Sequence, residues 1–233
     1  MAASAKKGGA HEKSDGLLIS AVIFDMDGVL IDSEPLQLKS FNKVLERYGK
    51  HVTMNDFKGS YMGKRDTQIC GNMIADYNLP ISERDFVKEK RKGYANILNV
   101  SIVKPTEGTA SCLTLLKKNG LKLAIASSSS LEEIKAVAGK FGIADYFSTL
   151  VSAHDVTNGK PSPDVYLKAA EKLNIKPEMC AAIEDTPTGI KSAKSAGMVC
   201  IAITTTHKEV ELKEADKIVR RLNEIPNIVG GRK

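Results

Sequence analysis

Residues Ile19–Ser33 read ISAVIFDMDGVLIDS, and this stretch decides the fold class that we predict for the chain. An apolar, β-branched run ends at two carboxylates, Asp25 and Asp27, which are followed by Gly28. A short apolar run bounded by turn residues is typical of a buried strand in a parallel sheet. Two adjacent carboxylates repel each other, and a hard divalent cation relieves that repulsion. The stretch predicts a metal-dependent site at the carboxyl edge of a parallel sheet, and an acidic turn after a strand is the alternative.

The composition is that of an ordinary globular protein with one large domain, or a core domain with an insertion. The chain has 233 residues, of which 42% are hydrophobic and 27% charged. The longest apolar run, near Leu17–Phe24, is much shorter than the roughly 20 residues of a membrane span, so we expect no membrane partner. The four cysteines form no zinc pattern with the histidines, which fits reduced thiols and a cytoplasmic location. Residues 1–16 lack apolar periodicity and predict a disordered tail rather than a signal peptide.

The net charge of +6 raises the question of a nucleic-acid partner. The densest basic cluster, Lys88–Lys92, reads KEKRK and includes an acidic residue. A solvated helix face explains this cluster better than a stripe that follows a phosphate backbone. Excess positive charge also suits a small anionic substrate. We therefore expect no nucleic-acid partner, and the lack of an apolar seam predicts a monomer.

The remainder of the chain alternates predicted strands and helices after a long helical segment. Residues 35–103 show apolar residues at helical spacing and no strong strand pattern. From Pro105 onwards, further strands are predicted at 121–126, 146–152, 180–183 and 199–203, with helices between them. This alternation implies right-handed crossovers and a parallel sheet covered on both faces. The predicted fold class is therefore α/β.

Polar residues follow the predicted strands at the edge where parallel sheets bind ligands. They are Asp25 with Asp27, Ser127, Lys160, and Glu184 with Asp185. Carboxylate oxygens suit Mg²⁺, and a lysine together with the metal would attract an anionic substrate. Asp25 is suited to attack a phosphoryl group, with Asp27 as the acid and base. Gly28 permits close approach of the backbone to phosphate, and Ser127 offers a hydroxyl beside the N–H groups of a helix start.

Each of these motifs also has a purely structural interpretation. Ser128–Ser130 is suited to cap the following helix. Lys160 fits an exposed lysine before a helix, and Glu184 with Asp185 fits a helix cap. The occurrence of all the motifs at successive strand ends favours a functional site over separate coincidences.

At this point four motifs resemble those of the haloacid dehalogenase superfamily of phosphatases, in order and at similar spacing. They read DMDGVLIDS at 25–33, AS at 126–127, GKPSPD at 159–164 and IEDTPTG at 183–189. The resemblance implies that Asp25 is the nucleophile and Asp27 the acid and base. It implies phosphate contacts from Gly28, Ser127, Ser128 and Lys160. The implied Mg²⁺ ligands are Asp25, Asp27 through its main-chain carbonyl, Glu184 and Asp185.

The same resemblance implies a Rossmann-like, three-layer α/β/α core with an inserted all-helical cap domain. The core would comprise residues 17–33 and 105–233, and the cap residues 34–104. A cap that closes over the site excludes water and selects the substrate. Lys64 and Arg65 lie in a segment similar to a cap loop that contacts the substrate. An exposed basic turn is the alternative for these two residues.

The branch of the superfamily that this chain resembles includes both sugar-phosphate phosphatases and β-phosphoglucomutase. The mutase has a histidine after the first motif, where this chain has Gln37. Because glutamine cannot exchange a proton near neutral pH, this favours Mg²⁺-dependent hydrolysis of a small phosphomonoester through an aspartyl-phosphate. Arg65 keeps the mutase alternative open. A non-enzymatic protein that binds a phosphorylated ligand is the third hypothesis, but binding alone requires no acid and base.

Overall fold

A computed structural model describes residues 19–101 and 103–230 of the chain. Within these residues a six-stranded sheet has the order β3-β2-β1-β4-β5-β6, and every neighbouring pair is parallel. The strands are β1 Ala21–Phe24, β2 Lys122–Ser127, β3 Thr149–Ser152, β4 Cys180–Glu184, β5 Val199–Ile203 and β6 Lys217–Val219. The predicted α/β class and the parallel sheet are confirmed. The tail expected at residues 1–16 lies outside the described residues.

The α-helices of the described residues form two groups. Four of them lie between β1 and β2: α1 Glu34–Leu45, α2 Met54–Ser60, α3 Asp66–Tyr77 and α4 Glu83–Val100. The others accompany the strands: α5 Thr109–Lys118, α6 Leu131–Lys140, α7 Asp164–Leu173, α8 Pro187–Ser195 and α9 Ile225–Val229. The helical segment that we expected after the first strand is therefore present.

The sheet is covered by helices on both faces because its central strand is apolar on both sides. In β1, Val22 and Phe24 pack into a cluster with residues of α5 and α6, whereas Ala21 and Ile23 pack into a second cluster with α7 and α8. Successive side chains of a strand point to opposite faces, so a continuous apolar run serves both layers. The result is the three-layer α/β/α arrangement.

The helices α1–α4 have a separate apolar cluster of their own. Phe41 stands at its centre, with ring centroids 5.7 Å from Phe57 and 6.3 Å from Phe86. A separate core is what a small domain needs to hold its own structure. We refer to α1–α4 and their loops as the cap segment, and the domain division at residues 34 and 104 stays a prediction.

Several elements of the described residues differ from the sequence prediction, among them β3, β6 and the unpredicted helix α9. The third strand begins at Thr149 rather than Tyr146, because a 3₁₀ turn occupies Ala144–Tyr146. Strand β6 was not predicted, because three residues beginning with an exposed lysine give too short a pattern. No helix among the described residues has the length and apolarity to cross a lipid bilayer.

Candidate active site

The carboxyl ends of β1 and β4 lie side by side at the centre of the sheet. Phe24 is paired with Ile183, and the Asp25 N–H donates to the Ile183 carbonyl at 2.9 Å. This register brings Asp25, Glu184 and Asp185 to one place. Lys160 joins them from the loop between β3 and α7, with its Nζ 2.6 Å from Asp25 Oδ1 and 2.6 Å from Glu184 Oε1.

Glu184 fixes the position of the Lys160 ammonium and is itself hydrogen-bonded. Its Oε1 also accepts from the Tyr166 hydroxyl at 2.6 Å, and its Oε2 accepts from the Asp185 N–H at 3.2 Å. Although burial opposes a charged ammonium, the carboxylates of Asp25 and Glu184 raise the pKa of Lys160 above its ordinary value. Lys160 is therefore a fixed cation beside Asp25, and most hydrogen-bonding capacity of Glu184 is already used.

The acidic residues at this point fit a divalent cation with oxygen ligands. Ligand atoms of Asp25, Glu184 and Asp185 lie within 4.8 Å of one another. Asp185 Oδ1 is buried and has no hydrogen-bond partner among the described residues, while Oδ2 accepts from the Thr206 hydroxyl. Burial and the Asp25 carboxylate raise the pKa of Asp185 well above its usual range. An orphaned carboxylate oxygen among like charges is the arrangement that a hard cation stabilises.

The carboxyl group of Asp25 is also buried among other negatively charged groups. The pKa of Asp25 is raised to about 7, because burial and the negative charges of Glu184 and Asp27 outweigh the lowering by the Lys160 ammonium. An attacking carboxylate must be ionised. A cation bound to these oxygens favours that ionised form.

Asp27 lies next to this cluster and is hydrogen-bonded from two sides. Its Oδ1 accepts from the Ser33 hydroxyl and faces Gln37 Nε2 at 3.4 Å, and both donors come from the start of the cap segment. Its Oδ2 accepts from Ser129 Oγ at 2.8 Å and lies 3.4 Å from Ser127 Oγ. Ser127 is the last residue of β2, and Ser129 follows it. Asp27 thus links the cap segment to the sheet.

The four serines of Ser127–Ser130 make different contacts. Ser127 is fully buried, and its Oγ accepts from the Ser129 N–H at 3.0 Å. Ser128 Oγ donates to the Gly63 carbonyl in the cap segment at 3.2 Å. Ser130 caps α6, with its Oγ accepting from the Glu133 N–H. The predicted cap is therefore Ser130, while Ser128 and Ser129 line the same cavity as Asp25 and Asp27.

This cavity, which we call the active-site cavity, lies between the strand ends and the cap segment. Its other walls come from the cap segment and include Glu34, Gln37, Phe41, Phe57, Met62 and Lys64. Lys64 Nζ donates to the Ser60 carbonyl at 2.6 Å. The Arg65 guanidinium instead donates to the Val156 and Thr157 carbonyls of the core at 3.2 Å each, outside the cavity wall. Substrate contact by Lys64 and Arg65 stays a prediction.

Several site residues were not identified from the sequence. Glu34 is buried in the cavity wall, and burial together with the charges of Asp27 and Asp25 raises its pKa to about 8. Its position directly after Ser33, at the end of the first motif, is the signal by which the sequence could have indicated it. Ser129 lay within the noted serine run. The contacts of Tyr166 and Thr206 depend on tertiary packing and left no sequence signal.

Gly28 offers a direct test of close packing at the site. It has a φ of +77°, and a Cβ atom there would overlap the Asp185 carboxylate. We expect Gly28→Ala to lower activity and metal affinity at least about 10-fold, since displaced metal-site residues cost this much. Metal affinity is measured by titration calorimetry, and stability by urea unfolding.

Gly197 is the matched control for this variant. It has the same φ of +77°, and a Cβ atom there would meet nothing within 4 Å. Gly197→Ala therefore carries only the strain of a left-handed backbone, about 1 kcal/mol, with activity and metal affinity unchanged. Equal metal affinity in the two variants would contradict the assigned packing of Gly28 against Asp185.

The chain is similar to known proteins in sequence and in fold. Residues 22–203 match the family model described as haloacid dehalogenase-like hydrolase. The chain is 34% identical over 184 residues to a phosphorylated carbohydrates phosphatase of Thermotoga maritima, covering 77% of this chain and 82% of that protein. It is 30% identical over 210 residues to a bifunctional riboflavin kinase/FMN phosphatase of Arabidopsis thaliana, covering 89% of this chain but only 55% of that protein. A crystal structure of β-phosphoglucomutase from Clostridium difficile matches with a TM-score of 0.79 and 26% identity, covering 89% of this chain and 93% of that one.

Proposed function

The chain belongs to the haloacid dehalogenase-like hydrolase family, and from this premise we propose that it hydrolyses a small phosphomonoester, of a sugar or a similar metabolite, with Mg²⁺ as cofactor. The observation that carries the proposal is the contact between Asp25 and Lys160. Asp25 Oδ1 lies 2.6 Å from Lys160 Nζ, and Asp185 lies beside them. A fixed cation next to an acidic, oxygen-lined site suits the binding of a phosphoryl dianion. Phosphatase activity in the Thermotoga relative supports the same reaction class.

The first step is attack by Asp25 on phosphorus. An oxygen of Asp25 forms a bond to phosphorus, the bond from phosphorus to the ester oxygen breaks, and Asp27 donates its proton to the departing oxygen. Lys160 keeps Asp25 oriented and balances charge on the phosphoryl oxygens. Ser127 and Ser128 supply the loop that faces those oxygens. The product of this step is an aspartyl-phosphate on Asp25 and a free alcohol.

The second step regenerates the carboxylate. Asp27, now ionised, takes a proton from water as the water oxygen attacks phosphorus, and the bond from phosphorus to Asp25 breaks to release inorganic phosphate. Hydrogen bonds from Ser33 and Ser129 orient Asp27 for both transfers.

Mg²⁺ is the metal that the donor set favours, because all the candidate ligands are oxygens. Asp25, the main-chain carbonyl of Asp27 and Asp185 would hold it, with Glu184 close by. The bound ion supplies charge neutralisation on the transferring phosphoryl group. We also propose a cytoplasmic location, since all four cysteines are buried free thiols in the described residues. We propose a monomer because the exposed large hydrophobic residues of the described chain lie on separate elements.

A phosphosugar mutase is the second candidate, supported by the structural similarity to β-phosphoglucomutase. The two reactions share Asp25, Asp27 and Lys160, and differ in whether water or a sugar hydroxyl accepts the phosphoryl group. Gln37 faces Asp27 and carries no exchangeable acidic proton near neutral pH. This residue favours hydrolysis.

The test uses purified protein with p-nitrophenyl phosphate, a panel of sugar phosphates and β-glucose 1-phosphate. We expect phosphate release that falls at least about 100-fold with EDTA and returns with Mg²⁺, since the carboxylate cluster requires a counter-cation. β-Glucose 1-phosphate should give free phosphate and glucose. Formation of glucose 6-phosphate would establish the mutase instead, and hydrolysis that is unaffected by EDTA would contradict the metal requirement.

A further inference from the structure

Glu34 and Gln37 form the part of the active-site cavity that adjoins Asp27. Both side chains are buried, with 8% exposure each, and both belong to the first turn of α1. Since Asp27 delivers the proton to the departing oxygen in the proposed reaction, these two residues flank the alcohol portion of the substrate rather than its phosphate. They are therefore placed to select the leaving group.

Both residues present hydrogen-bond acceptors without partners. Gln37 directs its Nε2 towards the Asp27 carboxylate, which leaves Oε1 buried and without a donor among the described residues. The alternative amide orientation would set Oε1 against a carboxylate oxygen, so the observed one is favoured whenever Asp27 is ionised. No described residue donates a hydrogen bond to the carboxylate of Glu34, which can only accept when ionised.

The charged residues around Glu34 and Gln37 also affect which leaving group fits the cavity. Asp66 also lines the cavity, but Lys90 already pairs with it at 2.9 Å. Lys64 is the cation in the cap-segment wall, and one of its three N–H donors goes to the Ser60 carbonyl. Lys58 is a further cation that lowers the pKa of Glu34, but it lies outside the cavity lining. The part of the wall formed by Glu34 and Gln37 thus offers hydrogen-bond acceptors to the leaving group.

We propose that Glu34, with Gln37, selects a neutral, hydroxyl-bearing leaving group, so that the substrates are monophosphates of polyols or sugars rather than phosphorylated acids or bisphosphates. The inference rests on the proposed phosphatase function. Hydroxyl groups of the leaving group satisfy the free acceptors, and a substrate without them leaves buried polar atoms unpaired. Above the pKa of Glu34, which is about 8, a carboxylate or second phosphate on the leaving group meets like charge at this residue.

Two pairs of substrates test this directly, because each pair differs only in the exchange of a terminal hydroxymethyl group for a carboxylate. They are D-sorbitol 6-phosphate with 6-phosphogluconate, and sn-glycerol 1-phosphate with 3-phospho-D-glycerate, which have the same configuration at C2. We expect kcat/KM of the wild-type protein to be at least about 10-fold higher for the neutral member of each pair. Assays at about pH 9 keep Glu34 largely ionised, because its pKa is about 8.

The Glu34→Gln variant removes the charge and keeps the shape. We expect the ratio of kcat/KM between neutral and acidic substrates to fall about 10-fold, because the like-charge repulsion is lost. Glu46→Gln is the matched control, since Glu46 is exposed just beyond the other end of α1 and outside the cavity. This control should keep the wild-type ratio.

The outcomes separate the inference from the function on which it rests. Lack of Mg²⁺-dependent phosphate release from all four substrates and from p-nitrophenyl phosphate would overturn the proposed function. Hydrolysis that is equal for both members of each pair, or faster for the acids, would overturn the inference alone. An unchanged ratio in an active Glu34→Gln protein would do the same. The wild-type comparison decides the matter without any variant if Glu34→Gln does not fold.

Discussion

Replacement of Asp25 by asparagine should lower kcat/KM for phosphomonoester hydrolysis by about 10⁴-fold or more. The change removes the attacking carboxylate, and loss of a nucleophile typically costs most of the chemical acceleration. Asparagine keeps the shape of the side chain and an oxygen that can accept from Lys160, so the site should remain assembled. Steady-state kinetics with p-nitrophenyl phosphate and with sorbitol 6-phosphate measure the effect, and circular dichroism checks the fold.

Asp145→Asn is the matched control for this substitution. Asp145 is exposed and precedes β3, at the edge of the sheet opposite the site. Its replacement should leave kcat/KM within about 2-fold of wild type, because an exposed surface change normally has little effect. Equal turnover by Asp25→Asn and wild type would refute the role of Asp25 as nucleophile.

Replacement of Lys90 by methionine should destabilise the protein by about 3–5 kcal/mol, the usual result of removing one partner from a buried ionic group. Lys90 is fully buried on α4, with its Nζ 2.9 Å from Asp66 Oδ1 and 3.0 Å from Glu133 Oε1. Burial raises the pKa of Glu133 to about 7 even with this lysine beside it. Methionine would leave both carboxylates without their buried cation, and urea unfolding measures the loss.

The control is the exposed pair of Arg47, just beyond the end of α1, and Glu89 of α4. Arg47→Met should change the free energy of unfolding by less than about 1 kcal/mol, since exposed ion pairs contribute little. In the Lys90→Met background, Glu133→Gln should restore part of the loss, because one unpaired charge is removed. A Lys90→Met protein as stable as Arg47→Met would contradict the assigned role of this buried cluster.

The site residues that could be predicted from the sequence are those that follow the predicted strands. An apolar run that ends at Asp25 predicts that this residue lies at the end of a strand. In a parallel sheet, the ends of the strands that precede Asp25 and Glu184 lie at the same edge, and the structure places Asp25 beside Glu184 and Asp185 there. Lys160 could be predicted because it follows a strand of the same sheet. Its contacts at 2.6 Å with Asp25 and Glu184 are consistent with that prediction.

The positions of other buried polar residues depend on how the helices pack against one another. Lys90 meets Glu133 across 43 positions of sequence, from α4 to the start of α6. A basic residue within the KEKRK cluster looks like its solvated neighbours, and only the packing of α4 buries it. Glu34 likewise lies on the buried side of α1 because of the cavity beneath it. Such burial is a property of the assembled fold and not of local pattern.

The contact of Arg65 with the Val156 and Thr157 carbonyls has a kinetic consequence. It joins the cap segment to the core outside the cavity wall, and the hydrogen bond from Ser128 Oγ to the Gly63 carbonyl joins them again beside the cavity. Any movement of the cap segment away from the core must break both contacts. Such a movement would set an upper limit on turnover in a reaction that required it, however fast the phosphoryl transfer becomes.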